Sequence, residues 1–429
     1  MNRRLATFLI TASVATCLTT VPSDRTAIAQ AKPEPAVLAV SGATNATPSL
    51  AVGAGLLAVV WTAQKSGVVD VYAAVSRDGG ATFSVPSRVN DQPGDASANA
   101  EQPPRIVIAG SPDARTLTVL WSKRGGVSQA SRRDVVRFAR SRDDGRTFSP
   151  ARSIPGASVA GARGWQSATA AADGAVHVVW LDGREAEKKI ADMAHAGIPH
   201  KAQPPQDIYH ARLAGDAVAE TRIASDVCFC CKTALAVDAR GGVYAAWRHI
   251  FPGSMRDIAF AKSSDTGRRF GPVVRVSEDN WQLNGCPEDG PSMAVADNGT
   301  IHLAWATLVG DEEPHKALFY STSHDGATFT PRAPIPATGT NPGRPQLVVN
   351  QAGGVVVVWE DVVGGTPRVF ATTMPAAKAV AVEMLSGHEA ASRPVISRTS
   401  STEVVVAWTS RPAGTDPASS TIRIARVRR

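Results

Sequence analysis

Ser76-Arg77-Asp78-Gly79-Gly80-Ala81-Thr82-Phe83 is one of four near-copies of a single turn in this chain. The others are Ser141-Arg142-Asp143-Asp144-Gly145-Arg146-Thr147-Phe148, Ser263-Ser264-Asp265-Thr266-Gly267-Arg268-Arg269-Phe270 and a shortened Ser323-His324-Asp325-Gly326-Ala327-Thr328-Phe329. In the shared pattern S-x-D-x-G-x-T-F the Asp carboxylate is suited to accept hydrogen bonds from turn amides, and Gly supplies a positive φ. The Phe is expected as a buried plug beneath the turn. Four copies at one place in a longer repeat set the architecture and separate scaffold from site.

Working outward, seven apolar strands end in Trp: Leu56 to Trp61, Thr116 to Trp121, Ala175 to Trp180, Gly242 to Trp247, Thr300 to Trp305, Gly354 to Trp359 and Glu403 to Trp408. Gly-containing turns such as Asp173-Gly174 and Asn298-Gly299 precede most of them, as tight hairpins require. A variable loop and a third short strand follow, as in Val71-Tyr72-Ala73 and Leu318-Phe319-Tyr320, and each quoted turn comes directly after such a strand. The unit is a four-stranded meander that cannot bury both faces alone. Radial stacking into an all-β propeller of four-stranded blades solves this, with the Trp packed between blades as a structural residue. Seven Trp strands predict seven blades, with six as the runner-up. The last unit ends at Arg429 without an outer strand, and Ala36 to Val40 has the length and apolar character to supply it. That N-terminal strand is expected to close the ring.

The four turns resemble the Asp-box, or BNR repeat, of the sialidase superfamily. The resemblance implies a propeller, six-bladed in sialidases. It also implies a site in which three Arg bind the substrate carboxylate, a Tyr assisted by a Glu is the nucleophile and an Asp is the acid/base.

Arg3 and Arg4, an apolar run from Leu5 to about Val21 and Ala27-Ile28-Ala29 read as an export signal cleaved before Gln30. The expected organisation is a signal peptide over 1–29, a linker and closing strand over 30–45, and the propeller over 46–429, in a periplasmic or secreted protein. Cleavage removes three Arg and one Asp, taking the formal charge from +7 to +5. That excess is scattered and forms no basic track of the kind that follows phosphates, which excludes nucleic acid as a partner. No segment approaches the ~20 uninterrupted apolar residues of a membrane span.

In a propeller the third-to-fourth strand turns lie on one face, the bottom. Ligand sites are therefore sought at the top, where loops vary on a rigid scaffold. Residues at the starts of inner strands include Arg105, Trp165, Cys228, Cys230, Cys231, Cys286, Glu288, Asp289, Arg344 and Arg393. Those after the Trp strands include Asp182, Arg184, Arg248, His249, Glu360 and Asp361. Arg105, Arg248, Arg344, Arg393 and Trp165 are the candidate ligand-binding residues. The longest top loop, about Asp182 to Gln206, carries Glu185, Met193, His195 and His200, and is either a lid or an insertion.

Four cysteines of the mature chain, Cys228, Cys230, Cys231 and Cys286, open two consecutive units and are expected to be neighbours. One reading is a disulfide staple in an exported protein, with Cys286 joined to one of the other three. The other is a metal centre for copper, as Cu(I), or zinc, with His249 or a loop His as a further ligand. Cys-x-Cys-Cys with a later Cys-Pro-Glu-Asp-Gly resembles an exported subgroup of Asp-box proteins commonly labelled sialidase-like.

Against the sialidase pattern, Pro104-Arg105-Ile106-Val107 keeps Arg-Ile of the first Arg motif, and Arg344 and Arg393 have suitable inner-strand positions. Of the four Tyr, Tyr72, Tyr209 and Tyr320 are expected at one third-strand packing position and Tyr244 inside a second strand, so none is placed as a nucleophile. A carboxylate pair drawn from Glu288, Asp289, Asp182, Glu360 and Asp361 is the alternative for an exo-glycosidase with altered catalytic residues. Three functions stand at this point: a propeller binding a small-molecule or glycan ligand at its top face beside a metal or disulfide centre, a glycoside hydrolase, and a non-catalytic propeller that binds a protein partner.

Overall fold

Strands of Val, Ala, Leu and Trp that are apolar along their whole length must be covered on both faces. The computed structural model covers them by stacking seven four-stranded antiparallel sheets in chain order. It describes residues 34–125, 134–195, 205–215, 217–283, 287–310, 312–350, 353–375, 381–412 and 414–428. The export signal expected over 1–29 lies outside the described residues, as do Cys286 and His200. Blade 1 is Thr44–Gly53, Leu56–Lys65, Val68–Ser76 and Ser87–Arg88, from inner to outer strand. The inner strands of blades 2 to 7 are Arg105–Ala109, Arg163–Ala170, Ala234–Val237, Ser292–Val295, Gly343–Val349 and Ala390–Arg398. Among the described residues no helix is long and apolar enough to cross a membrane.

The ring closes as expected. Ala36–Leu38 is the outer strand of blade 7, with Ala36 opposite Ile424 and Leu38 opposite Ile422. Asn45 secures the closure: its side-chain oxygen accepts from the Trp61 indole at 3.0 Å and from the Val40 amide at 2.8 Å, and its side-chain nitrogen donates to the Ser420 carbonyl at 2.9 Å.

All seven repeat Trp are buried, and they sit between blades. Trp61 packs with Leu38, Ile422 and Ile424 of blade 7, and Trp121 packs with Val60 and Val71 of blade 1. Their strands run on past them: Leu56–Lys65 and Ile301–Val309 continue four residues beyond the Trp, because the top loops begin as ladder extensions.

The four turns have the expected chemistry. Asp78 accepts from the amides of Ala81 and Thr82 at 3.0 and 2.9 Å and from the Ser76 hydroxyl at 2.7 Å, while the Gly80 amide donates back to Ser76 Oγ. The Phe residues are half-buried wedges rather than full plugs. Phe83 packs against blade 7 as well as its own blade, and Phe148 against blade 1. Ser76 lies opposite Leu57, at the end of the ladder away from the inner-strand starts. The turns and the candidate site therefore occupy opposite ends of the blades. Blade 3 has no such turn, and its outer strand extends over Ala217–Val227.

Candidate functional site

Four of the seven inner strands carry the same irregularity near their first residues. The register slips between Ala46 and Ser49, Gly164 and Ser167, Gly343 and Gln346, and Ser392 and Val395. At each slip one residue is left-handed: Thr47 at φ 54°, Trp165 at 53°, Arg344 at 52° and Arg393 at 55°. Pro48, Pro345 and Pro394 follow three of them and remove an amide that a regular ladder would use. A β-bulge re-aims its side chain, and strain of this kind persists only where the surroundings over-determine it. Here neighbouring blades do so. The Arg344 amide donates to Asp289, the Arg393 amide to Glu360 Oε2 at 2.6 Å, and the Thr47 amide to Thr409 Oγ1 at 3.1 Å.

These bulges bring Arg344 and Arg393 to a narrow cavity at the channel mouth together with Arg105, Lys232, Glu101, Thr47 and Gln346. Arg344 pairs with Glu101, the carboxylate in the cavity lining, through Oε1 at 2.6 Å, and with Glu360. Burial would lower the Arg344 pKa, but Glu360 and Glu101 hold it above its ordinary value. Arg105, Lys232 and Arg393 make no ion pair among the described residues. Arg105 Nε donates to the Gln166 carbonyl at 3.0 Å, and Arg393 leaves a buried Nε without a partner. Burial lowers Arg105 to about 10 and Lys232 to about 8, and it lowers Arg393, on which Arg344 acts in the same direction. Burial also raises the Glu101 carboxyl against the pull of Arg344.

The expected Arg105, Arg344 and Arg393 cluster is thus assembled. Arg248 departs from expectation. It is 1% exposed, stacks over Trp281 at 4.8 Å, and spends its guanidinium on the carbonyls of Asp289, Arg256 and Ala306. Trp165 turns away from the cavity and packs with the cysteines, Val179 and Trp247.

The proposed acids divide in the same way. Asp182 is buried between Arg163 and Arg184, 3.2 and 2.7 Å away, and accepts from the Trp180 indole. Asp361 accepts from the amides of Gly339, Asn341 and Val362, which makes it a loop anchor. Asp289 is buried against Lys316 at 2.8 Å and the Arg344 amide. Glu360 is bound to Arg344, which lines the mouth, and Glu288 is exposed at φ 50°. The proposed lid begins as a helix, Arg184–His195. Arg184 pins its first turn to Asp182, to Glu220 on the outer strand of blade 3 and to the Tyr209 ring, away from the channel.

Tyr72 and Tyr209 stack on Trp61 and Trp180 as expected. Tyr320 is one residue out of that position, because Phe319 pairs with Trp305. It faces the other side of the sheet, 2.7 Å from His302 Nδ1. Tyr244 donates to Asp238 at 2.6 Å. No Tyr lines the mouth among the described residues.

Cys228, Cys230 and Cys231 are buried, with their sulfurs within 4.8 Å of one another. Cys230 is disulfide-bonded, whereas Cys228 and Cys231 are free thiols. Cys228 Sγ is 3.8 Å from Cys230 Sγ and 4.0 Å from Cys231 Sγ. The Cys231 thiol donates to Cys228 and lowers it to about 6, while burial pushes Cys231 up. His249 stands apart from the cluster. Its Nδ1 accepts from the Trp247 indole at 3.3 Å and its ring lies against Phe251.

Sequence reasoning did not find Glu101, Lys232 or Gln166. Each stands beside a residue that was singled out or in the Pro-rich entry to an inner strand, Glu101-Gln102-Pro103-Pro104-Arg105. The recurring residue-Pro pair at Thr47, Arg344 and Arg393 was the available signal.

No family model and no curated protein matches the chain. Solved structures do. A PL25 ulvan lyase bound to -[GlcA(1-4)Rha3S]- is 10% identical with a TM-score of 0.57, covering 90% of this chain and 94% of that one. The Penicillium chrysogenum alpha-L-arabinanase is 14% identical with a TM-score of 0.50, over 93% and 99%. The NanB sialidase of Streptococcus pneumoniae is 11% identical with a TM-score of 0.43, over 90% and 68%. The chain shares a propeller fold with the ulvan lyase and the arabinanase, built here with seven blades.

Proposed function

We propose that the protein is exported and binds an acidic glycan, or a small carboxylate derived from one, at the channel mouth of its top face. The carrying observation is that Arg105, Lys232 and Arg393 face one cavity with no carboxylate paired to them among the described residues, while Glu101 and Glu360 are both engaged by Arg344. Buried cations without a direct ion-pair partner are costly, and a ligand anion that supplies bidentate hydrogen bonds offsets that cost. The GlcA unit bound by the ulvan lyase of the same fold is a ligand of this class. Export rests on the N-terminal Arg pair, apolar run and small-residue cleavage site, together with a disulfide on Cys230, which suits an oxidising compartment.

Calorimetry with glucuronate oligosaccharides, sialyllactose and neutral oligosaccharides of equal length tests the reading. Acidic ligands should bind and neutral ones should not, with Arg393→Ala and Arg105→Ala each weakening the acidic set. Equal binding of acidic and neutral sugars, or binding untouched by both substitutions, would sink it.

A second, catalytic reading of the same mouth has its own support. Glu101 is raised and Lys232 lowered, which brings an acid and a base toward neutral pH. In a glycosidase these two, rather than the missing Tyr, would move protons at a glycosidic oxygen. Product release from an aryl sialoside or a uronate polymer, lost in Glu101→Gln, distinguishes turnover from binding alone.

A further inference from the structure

The cysteine cluster stands apart from the mouth and its ligand. Its three sulfurs come from one short segment, Cys228-Phe229-Cys230-Cys231, folded so that the chain turns back on itself between the outer strand of blade 3 and the inner strand of blade 4. Sulfurs bound at ~2.3 Å to one ion lie ~3.8 Å apart in tetrahedral and ~4.0 Å apart in trigonal coordination. The observed separations of 3.8 and 4.0 Å from Cys228 match that spacing.

The shell is dry and apolar: Trp165, Trp247, Leu181 and Val227 pack around the sulfurs. Charge is nevertheless provided for. The Asp289 main-chain N–H donates to Cys231, the Cys230 main-chain N–H donates to Cys228, and the guanidiniums of Arg248 and Arg256 act on Cys228. A neutral disulfide staple needs no such donors and cations around it, whereas thiolates bound to a metal do. No fourth His, Cys, Asp or Glu joins the group among the described residues. Three sulfurs from one segment, with no oxygen or imidazole donor beside them among the described residues, form a soft ligand set suited to Cu(I).

We propose that Cys228, Cys230 and Cys231 form a redox-gated Cu(I) site, completed when the disulfide at Cys230 is reduced. The reductant is a dithiol. It supplies two electrons and two protons, becomes a disulfide itself, and leaves Cys230 and its former partner as thiols. Three thiols then bind Cu(I) and release three protons, giving a trigonal trithiolate complex. Reoxidation withdraws one sulfur and with it the third ligand. The sulfur of Cys230 is already beside the other two, so reduction completes the ligand set without rearranging the fold.

The mature protein, reduced with a dithiol under anaerobic conditions, is titrated with Cu(I) against a chromophoric Cu(I) chelator. One equivalent per chain should bind, with thiolate-to-copper absorption in the ultraviolet, and binding should weaken by roughly 100-fold or more in Cys228→Ser and Cys231→Ser. X-ray absorption of the wild-type complex should show three sulfurs at one distance, a readout that does not depend on the variants folding. Undiminished Cu(I) binding by the unreduced protein overturns the gate. Fewer than three sulfurs at copper, or tighter retention of Zn(II) than of Cu(I) against matched chelators, overturns the site as assigned.

Discussion

The main-chain N–H of Arg344 donates to both carboxylate oxygens of Asp289, at 3.2 and 3.0 Å, across the seam between blades 5 and 6. The same Asp289 pairs with Lys316, accepts the Arg248 guanidinium on its carbonyl, and turns its own N–H toward Cys231. One buried residue thus ties the left-handed bulge of the mouth to the cysteine cluster behind it. Burial would raise this carboxyl, but Lys316, Lys232 and Arg344 together hold it below its ordinary value.

Asp289→Asn should therefore destabilise the fold by about 3 kcal/mol, since it leaves buried cations and an amide short of an acceptor. The sign with pH follows from the depressed pKa. The carboxylate's contribution is present above the ordinary Asp range and is lost as pH falls through the lower folded value. Urea midpoints across the acid range should fall less steeply for the Asp289→Asn variant than for the parent protein. Parallel acid limbs would show that Asp289 is not a principal acid-sensitive group.

Lys232 predicts the opposite limb. Burial lowers it to about 8, so its charge at the mouth fades as pH rises through that value. Affinity for an acidic ligand should drop between about pH 7 and 9, and Lys232→Met should bind more weakly and lose that dependence. Between about 8 and the ordinary Lys value the unfolded chain holds the extra proton, so stability should rise with pH in that window. Calorimetric titrations at several pH values read the first effect and denaturant curves the second.

The three arginines should not behave alike. Arg105→Ala and Arg393→Ala remove cations without ion-pair partners and should weaken acidic-ligand binding by about 10- to 100-fold with little loss of stability. Arg344→Ala strands Glu101 and Glu360 beside each other and should also cost about 3 kcal/mol of stability. Adding Glu101→Gln to Arg344→Ala should recover part of that loss, as thermal unfolding of the double variant would show.

Closure of the ring rests on Asn45, which is 1% exposed and joins Val40, Trp61 and Ser420. Asn45→Ala should destabilise by about 3 kcal/mol by orphaning several buried groups. Proteolysis should then cut first near the N-terminal strand, whereas a general loss of stability would expose sites throughout the chain.

Two turn glycines should differ sharply. Gly79 has φ 71° and open space where a Cβ would go, so Gly79→Ala should cost about 1 kcal/mol. At Gly267 the added methyl would overlap the His210 ring, which is buried 2.9 Å from His177 Nδ1. Gly267→Ala should cost more than about 3 kcal/mol. Comparable losses at the two positions in thermal unfolding would contradict this packing.

The scaffold was legible because its signals are local and repeated. Asp78 and its three counterparts specify their turns through contacts within a few residues, and the Trp of each second strand marks a position that recurs seven times. The N-terminal strand was readable as the missing edge of the last unit. At the mouth, the positions of Arg105, Arg344 and Arg393 were readable, but their states were not. Whether an Arg lacks an ion pair, like Arg393, has one, like Arg344, or is spent on carbonyls, like Arg248, depends on partners up to 243 residues away. The one-residue offset of Tyr320 likewise depends on its pairing with the neighbouring strand.

The sequence by itself determined the repeat, the blade count, the closing strand and the face on which a site could form, because each follows from periodicity and turn chemistry within one unit. Only the tertiary structure decided which charges at the mouth are left uncompensated and which cysteines keep their thiols. Those properties belong to groups that meet across blade seams, where burial removes water and leaves each charge to whatever the neighbouring blade presents.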